Sequence, residues 1–192
     1  MGYRIDWTSD AGQLSAFEPT PDEVAQYAAD LSRGYNDPRN AELMGHAEPI
    51  DADEVIELYA DAVAEGTRSF LLFHAGAFAG DGDLRGLRNG TAEFAFMIAM
   101  PEAQGKGLGT RFATMIHALG FSELGLHRIY ASVVPHNTAS RRVFEKLGYV
   151  LDDSPAAREY ADEPGDVTLA LDRATFEQRT AGALPHIKIE VR

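Results

Sequence analysis

The sequence predicts a mixed three-layer α/β (α+β) domain built around a single sheet. Three features carry this expectation. Apolar residues recur at helical spacing through the first third of the chain, the period then drops to two, and in the second half strand-like and helix-like segments alternate. With 192 residues and no stretch of linker composition, the chain is expected to form one domain over 1–192, its core over about 13–171.

The elements follow in order. YRIDW (Tyr3 to Trp7) alternates, as does HIKIEVR (His186 to Arg192) at the other end, so 3–7 and 186–191 are candidate terminal strands whose pairing the sequence leaves open. A short strand over Leu14 to Phe17 precedes a helix between Pro21 and Gly34. Val24, Tyr27, Ala28 and Leu31 form its apolar stripe, and Asp22 and Glu23 suit its positive N-terminus. Gly34 to Pro49 carries turn residues throughout with no sustained period, and so reads as a long irregular loop, a type that is often functional. A second acidic helix runs from Asp51 to about Glu65. Ser69 to Ala79 reads as two strands bent at Gly76, GDGDLRGLRNG as a glycine-rich connection with some extended character, and Thr91 to Met100 as the strongest strand. A helix from Gly107 to about Leu119, a strand over Arg128 to Val134, a helix over Asn137 to Leu147 stopped by Gly148, and a strand at Thr168 to Leu171 complete the pattern.

A 45% hydrophobic and 24% charged composition excludes wholesale disorder. The net charge of −13 argues against nonspecific binding to nucleic acid or to an anionic membrane, and favours a cationic or amine-bearing partner. The charge is uneven, however: residues 101–150 hold six basic and three acidic side chains, a +3 island in an acidic chain. With no cysteine there is no disulfide, thiolate nucleophile or Cys-ligated metal, and the cytoplasm is the expected compartment. No metal site is expected. MGYRID lacks a secretory pattern, and no apolar run approaches the roughly 20 residues that span a bilayer.

The segment with specific chemistry is QGKGLGT, Gln104 to Thr110, between the strongest strand and the following helix. Such a turn aims several unpaired backbone N–H groups at one spot, at the positive end of a helix, where glycine lets a phosphate come close. Lys106 adds positive charge. The G-x-G-x-G spacing of Gly105, Gly107 and Gly109 is not the dinucleotide G-x-G-x-x-G, and Gly107 follows Lys106 where a Walker loop needs Ser or Thr.

A second constellation, PHNTASRRVFEKLGY (Pro135 to Tyr149), places Asn137, Ser140, Arg141 and Phe144 along the first turns of the next helix. Together the two motifs resemble the GCN5-related N-acetyltransferase (GNAT) superfamily, particularly its ribosomal-protein N-terminal acetyltransferase (RimJ/RimL-like) branch. Gln104, Gly107 and Gly109 meet that family's Q/R-x-x-G-x-G/A signature. Asn137, Ser140, Phe144 and Lys146-Leu147-Gly148-Tyr149 meet its N-x-x-S/A element and Lys-Leu-Gly-aromatic ending. The resemblance is sharp over 91–150. It implies a central mixed, mostly antiparallel twisted sheet flanked by helices, and acetyl-CoA as cofactor.

Carried over residue by residue, the resemblance implies that the CoA pyrophosphate rests on the backbone amides of Gly105, Lys106, Gly107, Leu108, Gly109 and Thr110. The pantetheine arm is expected along the backbone of Met97, Ile98 and Ala99, like an added strand. Asn137 is either the N-cap of its helix or a pantetheine or thioester contact. Where the family often has a Tyr to protonate the leaving thiolate, this chain has Phe144. Ser140 is then the candidate donor, unless it is only a small residue for helix packing. Glu93 is the candidate general base, directly or through a water, unless it is only a surface or salt-bridged residue, with His136 and His74 behind it and His46 facing substrate from the long segment. The acids from Asp37 to Glu65 are candidates for lining an amine pocket.

The function expected is direct acetyl transfer from acetyl-CoA to a primary amine in a ternary complex. A protein N-terminus, an aminoglycoside-type antibiotic, a polyamine or another small amine all fit as acceptor, and a homodimer is compatible with the family. The missing Tyr motivates a second class of function, a CoA-binding regulatory module without turnover.

Overall fold

The computed structural model describes residues 2–44 and 48–192. A hairpin of β1 (Tyr3–Ser9) and β2 (Gly12–Phe17) leads into helices α1 (Pro21–Tyr35), α2 (Pro38–Met44) and α3 (Ala52–Ala64). A meander of β3 (Arg68–His74), β4 (Ala77–Arg88) and β5 (Thr91–Met97) follows. Then come α4 (Leu108–Ser122), β6 (Arg128–Val133), α5 (Thr138–Leu147), β7 (Val150–Leu151), α6 (Pro155–Arg158), β8 (Val167–Asp172), α7 (Arg173–Thr180) and β9 (Ile187–Val191). The nine strands of the described residues share one sheet, in the order β7-β8-β6-β5-β4-β3-β2-β1-β9. Every neighbouring pair in it for which a register is given is antiparallel except β5 and β6. The two ends of the chain meet at one edge, Tyr3 opposite Val191 and Trp7 opposite Ile187.

Local chemistry explains most boundaries. Thr20 with Glu23 and Asp51 with Glu54 form capping boxes that start α1 and α3, each side chain satisfying the other residue's backbone N–H. The continuous apolar run of β3 reflects burial on both faces. Phe70 and Leu72 enter the main core with Phe112 and Met115 of α4, whereas Leu71 and Phe73 pack with Val24 and Leu31 of α1 and Val55 of α3.

Two stretches differ from the sequence expectation. Within the segment 34–49, read as irregular, Pro38–Met44 is helical. Its only buried residue is the polar Asn40, so no apolar period announces it. Asp37 starts this helix by accepting the N–H groups of Arg39 and Asn40 at 3.0 and 3.1 Å. The glycine-rich connection is the body of β4, a 12-residue strand. Gly80 and Gly82 mark close approach, a Cβ on Gly80 standing 2.0 Å from the Met97 carbonyl and one on Gly82 2.7 Å from the Ala95 carbonyl, and the turn comes only at Asn89 and Gly90. Helices α6 and α7 had no periodic signal either, and α7 buries only Phe176.

Candidate functional site

The parallel β5–β6 ladder pairs only Thr91 to Glu93 with Arg128 to Tyr130. Beyond it β5 and β6 run on to Met97 and Val133 unpaired with each other, each held only by its other neighbour, β4 or β8, and two clefts open there. The first, about 360 Å³, passes the glycine turn and the starts of α4 and α5 under α2. The second, about 390 Å³, lies over β4 and β5 beside the segment after α6. They share Leu43, Met44, Phe96, Met97, Asn137 and Ser140 as common wall. Their charges are opposite. Among the described residues, Arg39, Arg142 and Lys146 line the first with no acid, whereas Asp81, Asp83, Asp162, Glu163 and Asp166 line the second against Arg85 alone.

The glycine turn is built for an anion. Gly105 and Gly107 sit at φ +72° and +75°, in the left-handed region, and Gly107 begins α4 with no side-chain cap. The first helical bond runs from the Arg111 N–H to the Gly107 carbonyl. None of the six N–H groups from Gly105 to Thr110 has a backbone acceptor among the described residues. In front of Gly105 a Cβ would meet nothing within 4 Å, so there is room for a phosphate. At Gly109 the reason for glycine is packing, because a Cβ would come within 2.9 Å of the Phe96 ring. Free donors, a helix N-terminus and three cations fit a pyrophosphate with a phosphorylated tail.

Gln104 braces this turn, its amide donating to the Ile98 carbonyl at 2.9 Å and to Asn40 at 3.1 Å. Asn40, absent from the sequence expectations, ties α2 to the end of β5 by donating to the carbonyls of Gly34 and Ala99 at 2.9 and 3.2 Å. Ala99, expected beside the pantetheine arm, has its backbone engaged within the fold. Its N–H donates to the Ala79 carbonyl and it lines neither cleft, whereas Met97 and Ile98 line the first. Lys106 is exposed on the turn, outside the cleft walls.

Asn137 is the N-cap of α5, accepting the Ser140 N–H at 3.0 Å, and its amide also reaches the Leu43 carbonyl at 3.3 Å. Ser140 lies on the common wall. Phe144 is buried against Phe94, Phe96 and Tyr149.

Glu93 is salt-bridged, one of the two readings that the sequence left open. Arg85 donates to its two oxygens at 2.9 and 3.1 Å, the Ser132 N–H adds 3.3 Å, and Glu93 lines neither cleft. Burial pushes its carboxyl up while Arg85 opposes that. His74 sits at the far end of β3, its Nε2 2.7 Å from the Ala11 carbonyl, and exposed His136 is outside both clefts. His46 lies outside the described residues. The acids of the second cleft are not those between Asp37 and Glu65: Glu54, Glu57 and Asp61 are on exposed helix surface. They come instead from β4 and from 162–166. Among the described residues no group of three His, Asp or Glu side chains is arranged for a metal ion, and no helix is long and apolar enough to cross a membrane.

Comparison with known proteins agrees with this geometry. A family model described as the acetyltransferase (GNAT) domain matches residues 10–150. Spermidine N(1)-acetyltransferase of Escherichia coli is 39% identical over 61 residues, 32% of each chain, so the match spans about a third of that relative's length. Among solved structures, RimJ of Mycobacterium smegmatis in complex with CoA-disulfide has a TM-score of 0.75 at 19% identity, covering 96% of both chains. Aminoglycoside acetyltransferase AAC(6')-Ib in complex with coenzyme A has a TM-score of 0.70 at 19% identity, covering 86% of this chain and 98% of that one.

Proposed function

The chain belongs to the acetyltransferase (GNAT) family, and from that premise we propose that it transfers the acetyl group of acetyl-CoA to a primary amine on a multiply cationic acceptor. The observation that supports this reading best is the pair of oppositely charged clefts sharing one wall. A polyanionic donor suits the cleft with Arg39, Arg142 and Lys146, and an ammonium suits the one with five carboxylates. Named relatives act on spermidine and aminoglycosides, both cationic amines. A protein N-terminus offers one ammonium and, unless basic side chains follow it, uses less of this acidity.

In this reading the N–H groups of Gly105 to Thr110 hold the pyrophosphate, and the backbone of Met97 and Ile98 guides the pantetheine arm. This brings the thioester to the common wall at Asn137 and Ser140. Acetyl-CoA supplies an activated acyl group. The amine nitrogen attacks it directly, with no acyl-enzyme, since the second cleft delivers the amine to the same wall. Ser140 holds a hydroxyl where the departing sulfur can take a proton. Glu93 is a positioning residue that fixes Arg85.

The test is thiol release from acetyl-CoA with spermine, spermidine, an aminoglycoside and short peptides with free N-termini. Polycationic amines are expected to give the highest kcat/KM. Turnover confined to the peptides would overturn the acceptor class, and tight CoA binding without turnover on any amine would replace the enzyme by a CoA-binding module.

A further inference from the structure

The second cleft contains an acid that the mechanism above leaves unused. Along β4, Asp81, Asp83 and Arg85 point to one face of the sheet, opposite Met97, Ala95 and Glu93 of β5. At one end of this row Arg85 and Glu93 close on each other. At the other end Asp81 accepts the hydroxyls of Tyr35 and Tyr59 at 2.5 and 2.8 Å.

Asp83, between them, has no such partner. Its Oδ1 is buried and accepts no hydrogen bond from the described residues, and Arg85 Nε stands 4.0 Å away, beyond hydrogen-bond reach. The position opposite holds only the methyl group of Ala95. Asp83 borders both the acidic cleft and a smaller cavity of about 110 Å³ walled by Tyr35, Tyr59 and Ser69. A carboxylate oxygen withdrawn from water without a donor is costly, and a bound ammonium supplies the missing donor.

We propose that Asp83 is the catalytic proton acceptor for the incoming amine, the role the sequence had suggested for Glu93. This rests on the acetyl-transfer reading. The ammonium of the acceptor gives one proton to the Asp83 carboxylate, which later returns it to solvent. The freed nitrogen lone pair forms the C–N bond to the acetyl carbon, the C–S bond breaks with its electron pair on sulfur, and sulfur takes a proton from the Ser140 hydroxyl, which is restored by the second nitrogen proton. The products are the N-acetyl amine and CoA thiol.

The surroundings give Asp83 suitable basicity. Burial pushes its carboxyl up to about 7. Arg85 opposes the shift, while Asp81, Glu93 and Asp162 add to it. The other titratable groups facing the row are Tyr35 of α1 and Tyr59 of α3, both raised well above their ordinary range by burial, and Glu163 and Asp166 beside the cleft. Asp81 is less suited, because two phenols already occupy its carboxylate.

The experiment compares kcat, kcat/KM and their pH dependence for the unaltered protein, Asp83→Asn and Asp83→Glu, with acetyl-CoA and spermine. The unaltered protein should gain activity through an apparent pKa near 7. Asp83→Asn should lose about 100-fold or more in kcat and lose that inflection, Asp83→Glu should recover part of both, and CoA affinity and melting should show all three folded. Unchanged kcat and pH profile in Asp83→Asn, with or without a raised KM for the amine, overturns the proposal while leaving acetyl transfer standing. Absence of turnover by the unaltered protein on every amine overturns both.

Discussion

Arg85 and Glu93 face each other across β4 and β5 and are joined by two hydrogen bonds of 2.9 and 3.1 Å, with Asp162 accepting from the same Nη2 of the guanidinium at 2.8 Å. The pair is a brace beneath the acidic cleft. Glu93→Gln removes the buried charge but leaves Arg85 paired with Asp162, so the expected loss is about 1–3 kcal/mol. Urea unfolding measures it. Turnover should fall modestly while keeping its pH inflection. Disappearance of the inflection in Glu93→Gln would return the base to that residue.

Gly107→Val is expected to lower CoA affinity at least about 100-fold and stability by about 1–2 kcal/mol, because Gly107 sits at φ +75° at the entrance to α4, where a β-branched residue is strained. Calorimetric titration with CoA, alongside circular dichroism to confirm folding, measures both. Retained affinity would remove the pyrophosphate from this turn.

Ser140→Ala should reduce kcat by about tenfold, with the KM for acetyl-CoA nearly unchanged. The effect is modest because a thiolate, with a thiol pKa near ~8.5, leaves passably without assistance. An unchanged kcat under conditions where chemistry limits the rate would make Ser140 only a small residue in the common wall.

His117 on α4 is fully buried. Its Nδ1–H donates to the Ala113 carbonyl at 2.6 Å, and its Nε2 accepts the Tyr149 hydroxyl at 2.5 Å. Burial lowers its pKa from 6.5 to about 3, so the folded protein keeps it neutral where the unfolded chain takes up a proton. The stability it supports is therefore complete above pH 6.5 and is lost as the pH falls toward 3, by about 2 kcal/mol at pH 5. Asp81 and Asp83, with pKa values raised to about 6 and 7, change stability in the opposite direction over part of this range. The informative quantity is thus the difference between His117→Gln and the unaltered protein. The variant should gain relative stability between pH 6.5 and 5, and a constant difference would contradict a buried neutral imidazole.

How far the sequence could be read depended on whether a feature is local. The glycine turn and the start of α5 were legible because their chemistry lies in consecutive backbone groups and a single N-cap. The flanking strands and helices carried clear periods. Asp81 and Asp83 were not legible, because they sit in GDGDL, whose glycines suggest a turn until β5 is seen packed against them. Only the sheet brings them beside Asp162 and Asp166, about eighty residues away in sequence. The abundant acids of α3 drew attention instead, though their exposed face serves solvation. Asn40 was missed for a related reason: a helix whose one buried residue is an amide has no apolar stripe.

The most direct measurement of the central claim is the initial rate of thiol release, with acetyl-CoA varied at several fixed spermine concentrations. Two substrates meeting at the wall formed by Phe96, Met97, Asn137 and Ser140 predict a rate that requires both, and double-reciprocal lines that converge. Thiol release without amine, or parallel lines that signal an acetylated enzyme, would contradict it.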